Sequence, residues 1–230
     1  MLRYCWCEDS KSGYLFWKEL FKTVYPDIIV ESKNSNSGLN KAADRISSND
    51  GNLYYIIVDN AIDNPDVLRE MLRLKKCIAG KTNVKIISIH SFEFVLLSFE
   101  QLEKWVFAEN DELKDKRSVI LEARSQFVKL VNAGGYAEDL NKFKSVYINQ
   151  SKYNSEKISA KLLFEITRNT GFETNKSHIG SCFINSCCEW DGRQENDICG
   201  LDDRKLILYE KMKQIIEHSV LQAEFTKVGL

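Results

Sequence analysis

Arg3-Tyr4-Cys5-Trp6-Cys7-Glu8-Asp9-Ser10-Lys11-Ser12-Gly13 runs directly into Tyr14-Leu15-Phe16-Trp17-Lys18-Glu19-Leu20-Phe21. The first residues are apolar and aromatic and read as a short buried strand. Two carboxylates then open a tight turn, and Phe16, Trp17, Leu20, Phe21 and Val24 recur at helical spacing. Ser10 or Ser12 is placed to cap that helix, and Pro26 to end it. A strand, a turn and an amphipathic helix in so short a span form the unit from which parallel α/β sheets are built.

Outward from that stretch the pattern repeats. Residues 27–30 read as a second strand, and 32–38 as a loop of small polar residues. Leu39, Ala42, Ala43 and Ile46 then fit the helix template. Residues 53–58, Leu-Tyr-Tyr-Ile-Ile-Val, form a continuous apolar run expected of a strand covered on both faces. Asn64 and Pro65 open a helix as cap and first residue, with Val67, Leu68, Met71 and Leu72 inward. Residues 84–89 are the next strand, and 92–99 begin a helix so apolar that it must be buried, ending near Trp105-Val106-Phe107. Residues 1–109 therefore predict an α/β domain, a mainly parallel sheet flanked by helices.

The character changes in the charged, linker-like run 110–117. Residues 110–230 read as a mostly helical C-terminal region. Val119, Ile120, Ala123, Phe127, Leu130 and Val131 mark one helix stopped by Gly134-Gly135, and residues 155–168 a second with Ile158, Leu162 and Ile166 inward. A third starts at Asp202 or Asp203. Between the last two lies an irregular Cys-rich insert, 177–200.

The net charge of −1 exerts no global pull on nucleic acid or anionic membrane, so a polyanion would have to meet a local patch. No apolar run is long enough to span a bilayer, and Glu8 and Asp9 interrupt any signal-peptide core. Seven scattered cysteines, an odd number, read as reduced thiols, which predicts a cytoplasmic protein.

Glu8, Asp9, Asp59, Asp63 and Glu93 each fall within a few residues of a predicted strand's carboxyl end, where open α/β sheets keep their chemistry. Carboxylates converging there suit a hard cation such as Mg²⁺ or Mn²⁺. Asp at such places also makes turns and caps helices, and that plainer reading stands beside the first. His90 follows a strand and lies close to Glu93, while Lys11 sits in the first turn within reach of an anion. Trp6, Trp17, Trp105, Tyr54 and Tyr55 read as core. Trp190 and Arg193, in a polar loop, are placed to touch nucleic acid or a partner protein.

The first-strand Glu8, its polar turn and the following Phe-Trp helix resemble the opening of Toprim (topoisomerase-primase) domains, those of OLD-type and other bacterial phage-defence nucleases above all. Ser35-Asn36-Ser37-Gly38-Leu39-Asn40 resembles the small-residue loop before that family's next helix. Asp59 falls where the family has the first aspartate of an Asp-x-Asp pair, and Phe92-Glu93 with Val95-Leu96-Leu97 resembles a later family segment. The likeness covers about the first 110 residues. It departs at the second aspartate, which is Ala61, with Asp63 four residues beyond Asp59, and at Asp9, where the family has glycine.

The resemblance implies a metal-dependent nuclease acting on DNA or RNA, the effector of an anti-phage defence or repair system. Glu8 would be general acid or base, and Asp59, helped by Asp63 or Asp9, would hold Mg²⁺ or Mn²⁺. It also implies an ABC-type ATPase as partner, because no Gly-x-x-x-x-Gly-Lys-Ser/Thr loop is present here. An oligomer is compatible with this reading. The alternative is a non-catalytic, degenerate Toprim module that binds such a partner. A nucleotide-binding or phosphotransfer enzyme is a third class, and the lack of Gly-rich loops argues against it.

His178, Cys182, Cys187, Cys188 and Cys199 offer up to five soft ligands, and four of them, such as His178, Cys182, Cys187 and Cys199, would make a tetrahedral zinc site. The absence of a Cys-x-x-Cys pair argues against that site, as does Cys182-Phe183-Ile184, which reads as a strand burying its thiol.

Overall fold

A computed structural model describes residues 1–61, 63–107, 111–135, 143, 154–187 and 206–230. Four strands, β1 (Arg3–Cys7), β2 (Ile28–Ser32), β3 (Leu53–Asp59) and β4 (Val84–Ile89), form one all-parallel sheet in the order β2-β1-β3-β4. Helices α1 (Ser12–Val24), α2 (Asn36–Asp44) and α3 (Pro65–Ile78) link them in sequence. The expected α/β architecture, with a helical C-terminal region, is what the chain adopts.

Side-chain alternation on the strands sorts two unequal cores. Cys5, Cys7, Tyr55 and Ile57 face a large core shared with α1, and Trp6, Tyr54, Ile56 and Val58 face a smaller one under α2 and α3. The run at 53–58 is apolar on every residue because both faces are covered. The aromatics read as core are buried: Trp17 and Trp105 are wholly shielded, and Trp6, Tyr54 and Tyr55 nearly so.

Several local expectations need correction. Neither Ser10 nor Ser12 caps α1. Its cap position is Lys11, without a side-chain bond, and Ser12 Oγ donates to Asn175 O at 2.7 Å. Ser35 caps α2 by accepting from Gly38 N at 3.1 Å, so the helix begins inside the expected loop. Asn64 does cap α3, but Leu72 points out at 55% exposure and Leu74 takes its place inside. The long buried helix is two short ones, α4 (Phe92–Ser98) and α5 (Leu102–Phe107).

The linker-like run is largely helix α6 (Asp111–Lys116), held by the Lys116 pair with Glu112. In α7 (Ser118–Asn132) Leu121, Phe127 and Val131 are buried while Val119 is 72% exposed. Cys182, Phe183 and Ile184 lie in a helical turn, α9 (Ser181–Ile184), rather than a strand. The expected third helix is two, α10 (Leu208–Glu217) and α11 (Leu221–Val228), and its expected start at Asp202 or Asp203 lies outside the described residues.

The C-terminal helices pack onto the sheet layer. Helix α8 (Ser155–Thr167) lies on α4, α10 on α1, and α11 on β4, so one hydrophobic cluster runs from Cys5 to Val228. Glu224 of α11 accepts from Ser88 N at 3.1 Å, giving a partner to a backbone donor on the outermost strand.

Arg124 of α7 ties the turn between α4 and α5, donating to Leu97 O and Phe99 O at 2.8 Å each and to Glu103 at 2.9 Å. Arg124→Met retains the aliphatic stem but strands two carbonyls and a carboxylate. The expected cost is about 2 kcal/mol in urea unfolding. No change would mean that water replaces the guanidinium. Among the described residues no helix is long and apolar enough to cross a membrane.

Candidate functional site

The chain leaves β1 for β2 on one side, then crosses to β3 on the other. The carboxyl ends of β1 and β3 therefore flank the point where strand order reverses, and that is where open sheets bind ligands. Glu8 follows β1 immediately, and Asp59 is the last residue of β3. Their carboxyls are close enough to act on each other, and the Asn36 side chain of α2 acts on Glu8 as well.

Neighbouring buried carboxyls resist ionising together, so one of them tends to keep its proton. Burial, then the charges of Asp9, Glu8, Glu156 and Glu93, push the Asp59 carboxyl well above the usual range. Burial also raises Glu8, with Asp9 adding to the rise while the side chains of Asp59 and Asn36 oppose it.

Asp9 is fixed by the helix that follows. Its Oδ2 accepts from Trp17 Nε1 at 3.0 Å, and burial raises its carboxyl against that bond. Gly13 makes room for it: a Cβ built on Gly13 would stand 2.4 Å from Asp9 Oδ1. Gly→Ala in a helix ordinarily stabilises by about 1 kcal/mol. Here Gly13→Ala is expected to destabilise by about 1–2 kcal/mol and to shift Trp17 fluorescence as Asp9 is displaced. A stabilised variant with an unchanged spectrum would show that Asp9 is not packed on that turn.

Glu93, in the first turn of α4, is pushed up to about 7 by burial first and then by Asp9 and Glu156. Glu156 was not singled out by the sequence. It lies in the first turn of α8, its carboxyl raised by burial, and accepts from Asn64 Nδ2 at 2.7 Å. An acidic residue there reads simply as complementing the helix dipole, so nothing local marks it as part of a site. The same holds for Asn36 at the start of α2.

The other candidates lie differently. Asp63 accepts from Ser155 N at 2.6 Å and from the Ser155 hydroxyl, holding the start of α8 against the loop after β3. His90 is 6% exposed, and its ring stands edge-on to Phe94 and Phe127 at 5.0 and 6.4 Å between centroids. Burial lowers its pKa against the opposing pull of Asp63 and the Ser155 backbone. His90 is thus a packed core residue. Lys11 is exposed, its Nζ 3.5 Å from Ser177 Oγ.

Of the zinc candidates, His178 sits in a small exposed hairpin paired with Asn175. Cys182 is in α9, and Cys187 N bonds Leu206 O at 2.9 Å. Cys199 lies outside the described residues, as do Cys188, Trp190 and Arg193. Among the described residues no group of three or more His, Cys, Asp or Glu side chains stands ready to hold a metal ion.

Glu8, Asp9 and Glu93 open into a cavity of about 700 Å³. Its other wall comes from the C-terminal half: Lys161 and Phe164 of α8, and Thr174, Asn175 and Lys176. Gly180 lets that wall close, since a Cβ there would meet the Phe172 backbone at 2.4 Å. The cavity has carboxyls on one side and Lys11, Lys161 and Lys176 around it. Comparison with protein-family models, curated proteins and solved structures finds no match to this chain.

Proposed function

We propose that this chain is a divalent-metal-dependent nuclease cleaving phosphodiester bonds of DNA or RNA, with its reaction centre at Glu8 and Asp59. The observation that carries the reading is the Glu8 and Asp59 carboxyls at the ends of adjacent strands, at the switch point of the sheet and beside a cavity bordered by lysines. The donor chemistry fits a hard cation. Mg²⁺ is commonly held by one or two carboxylates, with water and substrate phosphate completing its shell. Glu8 and Asp59 would hold it, and crowded carboxyls are what such a charge relieves.

Bound there, Mg²⁺ or Mn²⁺ would polarise the phosphoryl oxygen and offset developing negative charge. Glu8, raised toward neutrality and oriented by Asn36, is suited to move a proton to or from the reacting oxygen. Lys11 and Lys161 would attract the phosphates. Within this reading the chain serves as effector of a bacterial defence or repair system, working with a separate ABC-type ATPase.

A second reading has its own observations. Ala61 stands where the Toprim pattern has its second aspartate, and Asp63 is engaged by Ser155. A degenerate, partner-binding module would look like this. Mn²⁺ titration by calorimetry, with cleavage of mixed DNA and RNA in Mg²⁺ or Mn²⁺, separates the two. The nuclease reading expects Mn²⁺ binding and cleavage that EDTA stops. A folded protein that neither binds Mn²⁺ nor cuts would leave the partner-binding module.

A further inference from the structure

Thr174 is 4% exposed and lines the cavity, yet among the described residues its hydroxyl meets no hydrogen-bond partner. A buried hydroxyl without a partner is costly, and native structures avoid it unless something else satisfies it. Beside it in the same wall is Phe164, an aromatic ring left half-exposed, with the Lys161 ammonium 5.8 Å from its centroid. Phe92 also borders the cavity but is 3% exposed, its ring packed on Phe16 at 5.2 Å between centroids. Lys161 is itself paired with Glu165, so Lys11 and Lys176 add positive charge around the opening.

We infer that this cavity takes one unpaired nucleotide unit. Its base lies on Phe164, its phosphate faces the lysines, and a polar edge meets the Thr174 hydroxyl once that side chain rotates about χ1 toward the cavity. The inference rests on the nuclease reading for the adjacent carboxyls, and it narrows the substrate to single-stranded nucleic acid or a free mononucleotide. A volume of about 700 Å³ suits a ligand of that size. A paired base is stacked between its neighbours and has no free face to offer Phe164, so a duplex must first be opened. Every base has a π-face, so stacking selects for unpaired bases without selecting sequence.

The test measures binding in Ca²⁺ by fluorescence competition, with three probes: thymidine 5′-monophosphate, a 5′-phosphorylated single strand, and that strand annealed to its complement. Metal-dependent cleavage is assayed separately. Binding of the monophosphate or the single strand, at least about tenfold tighter than the duplex and weakened about tenfold by Phe164→Ala, is the expected result. Thr174→Val, nearly isosteric, is expected to weaken it several-fold and covers the case in which Phe164→Ala misfolds. Binding of the free monophosphate points to a nucleotide as ligand, and binding of the strand alone points to a polymer.

Duplex bound as tightly as single strand would overturn the inference. So would binding indifferent to both substitutions, or no binding of any probe. Cleavage of duplex unaffected by Phe164→Ala and Thr174→Val would sink the inference and leave the nuclease standing. Nucleotide binding lost in both variants, from a protein that never cuts, would do the reverse.

Discussion

On the proposed nuclease reading, replacing Asp59 by asparagine is expected to reduce metal-dependent cleavage about a thousandfold and, in the same protein without metal, to raise its stability. The two effects have one cause. Asp59 ends the central strand β3 beside Glu8, with Asp9, Glu156 and Glu93 close enough for their charges to be felt. In metal-free protein its carboxyl keeps its proton well above the ordinary carboxylate range, because ionisation would place another charge among buried acids. Asparagine never ionises.

The sign follows from linkage. A carboxyl whose folded pKa is raised contributes stability that is full below the unfolded value and lost as pH rises through the folded one. Asp59→Asn should therefore match wild type near pH 4 and exceed it at pH 8, by about 1–2 kcal/mol, the usual scale of a stability-for-function exchange. On the proposed reading the activity loss would come from removing an anionic ligand of a metal whose Lewis-acid effect is worth several kcal/mol. Urea unfolding at the two pH values and a cleavage assay read both. A variant less stable at pH 8, or one that cuts as wild type does, would show that Asp59 is a structural residue.

The fold was legible because its signals are local and redundant. The 84–89 strand and the Asn64-Pro65 helix start have little else they can be, since β-branched alternation and a capping Asn before Pro each have a backbone reason. The misread elements had competing explanations. The charged run 110–117 resembles a linker in composition, yet its Glu112 and Lys116 are spaced for a helical ion pair. Cys182-Phe183-Ile184 is apolar enough for a strand, and only tertiary packing settles it as a turn of helix.

The candidate site divides along the same line. Glu8, Asp9 and Asp59 were visible because strand ends in a parallel sheet share one edge, so sequence position implies spatial position. Glu156, whose charge reaches Asp59 and Glu93, and Phe164, which lines the cavity, arrive from far along the chain through packing of α8 on α4, which no periodicity encodes. Asp63 illustrates the converse. Its position favoured a metal site, and its environment made it the anchor for α8.

Glu93 gives a second expected pH dependence. It sits in the first turn of α4, where the helix dipole and the bonds from its own backbone and Ser91 favour the charged form. Burial outweighs them, Asp9 and Glu156 add to it, and the carboxyl reaches about 7 against an ordinary value near 4.5. A shift of that size corresponds to about 3 kcal/mol of folding free energy. Because the folded pKa is the higher one, the folded state binds more protons between these values, and the metal-free protein should lose that stability as pH rises from about 4.5 to 7. Glu93→Gln removes the ionisation and should flatten this part of the profile, leaving the variant about 2–3 kcal/mol more stable than wild type at pH 8 and nearly equal at pH 4. If the carboxyls hold a cation as proposed, saturating Mn²⁺ should narrow the gap at pH 8 by stabilising wild type, since that charge offsets the same repulsion. Parallel pH–stability curves for wild type and variant would mean that Glu93 ionises freely and that the acidic cluster is more hydrated than its packing implies.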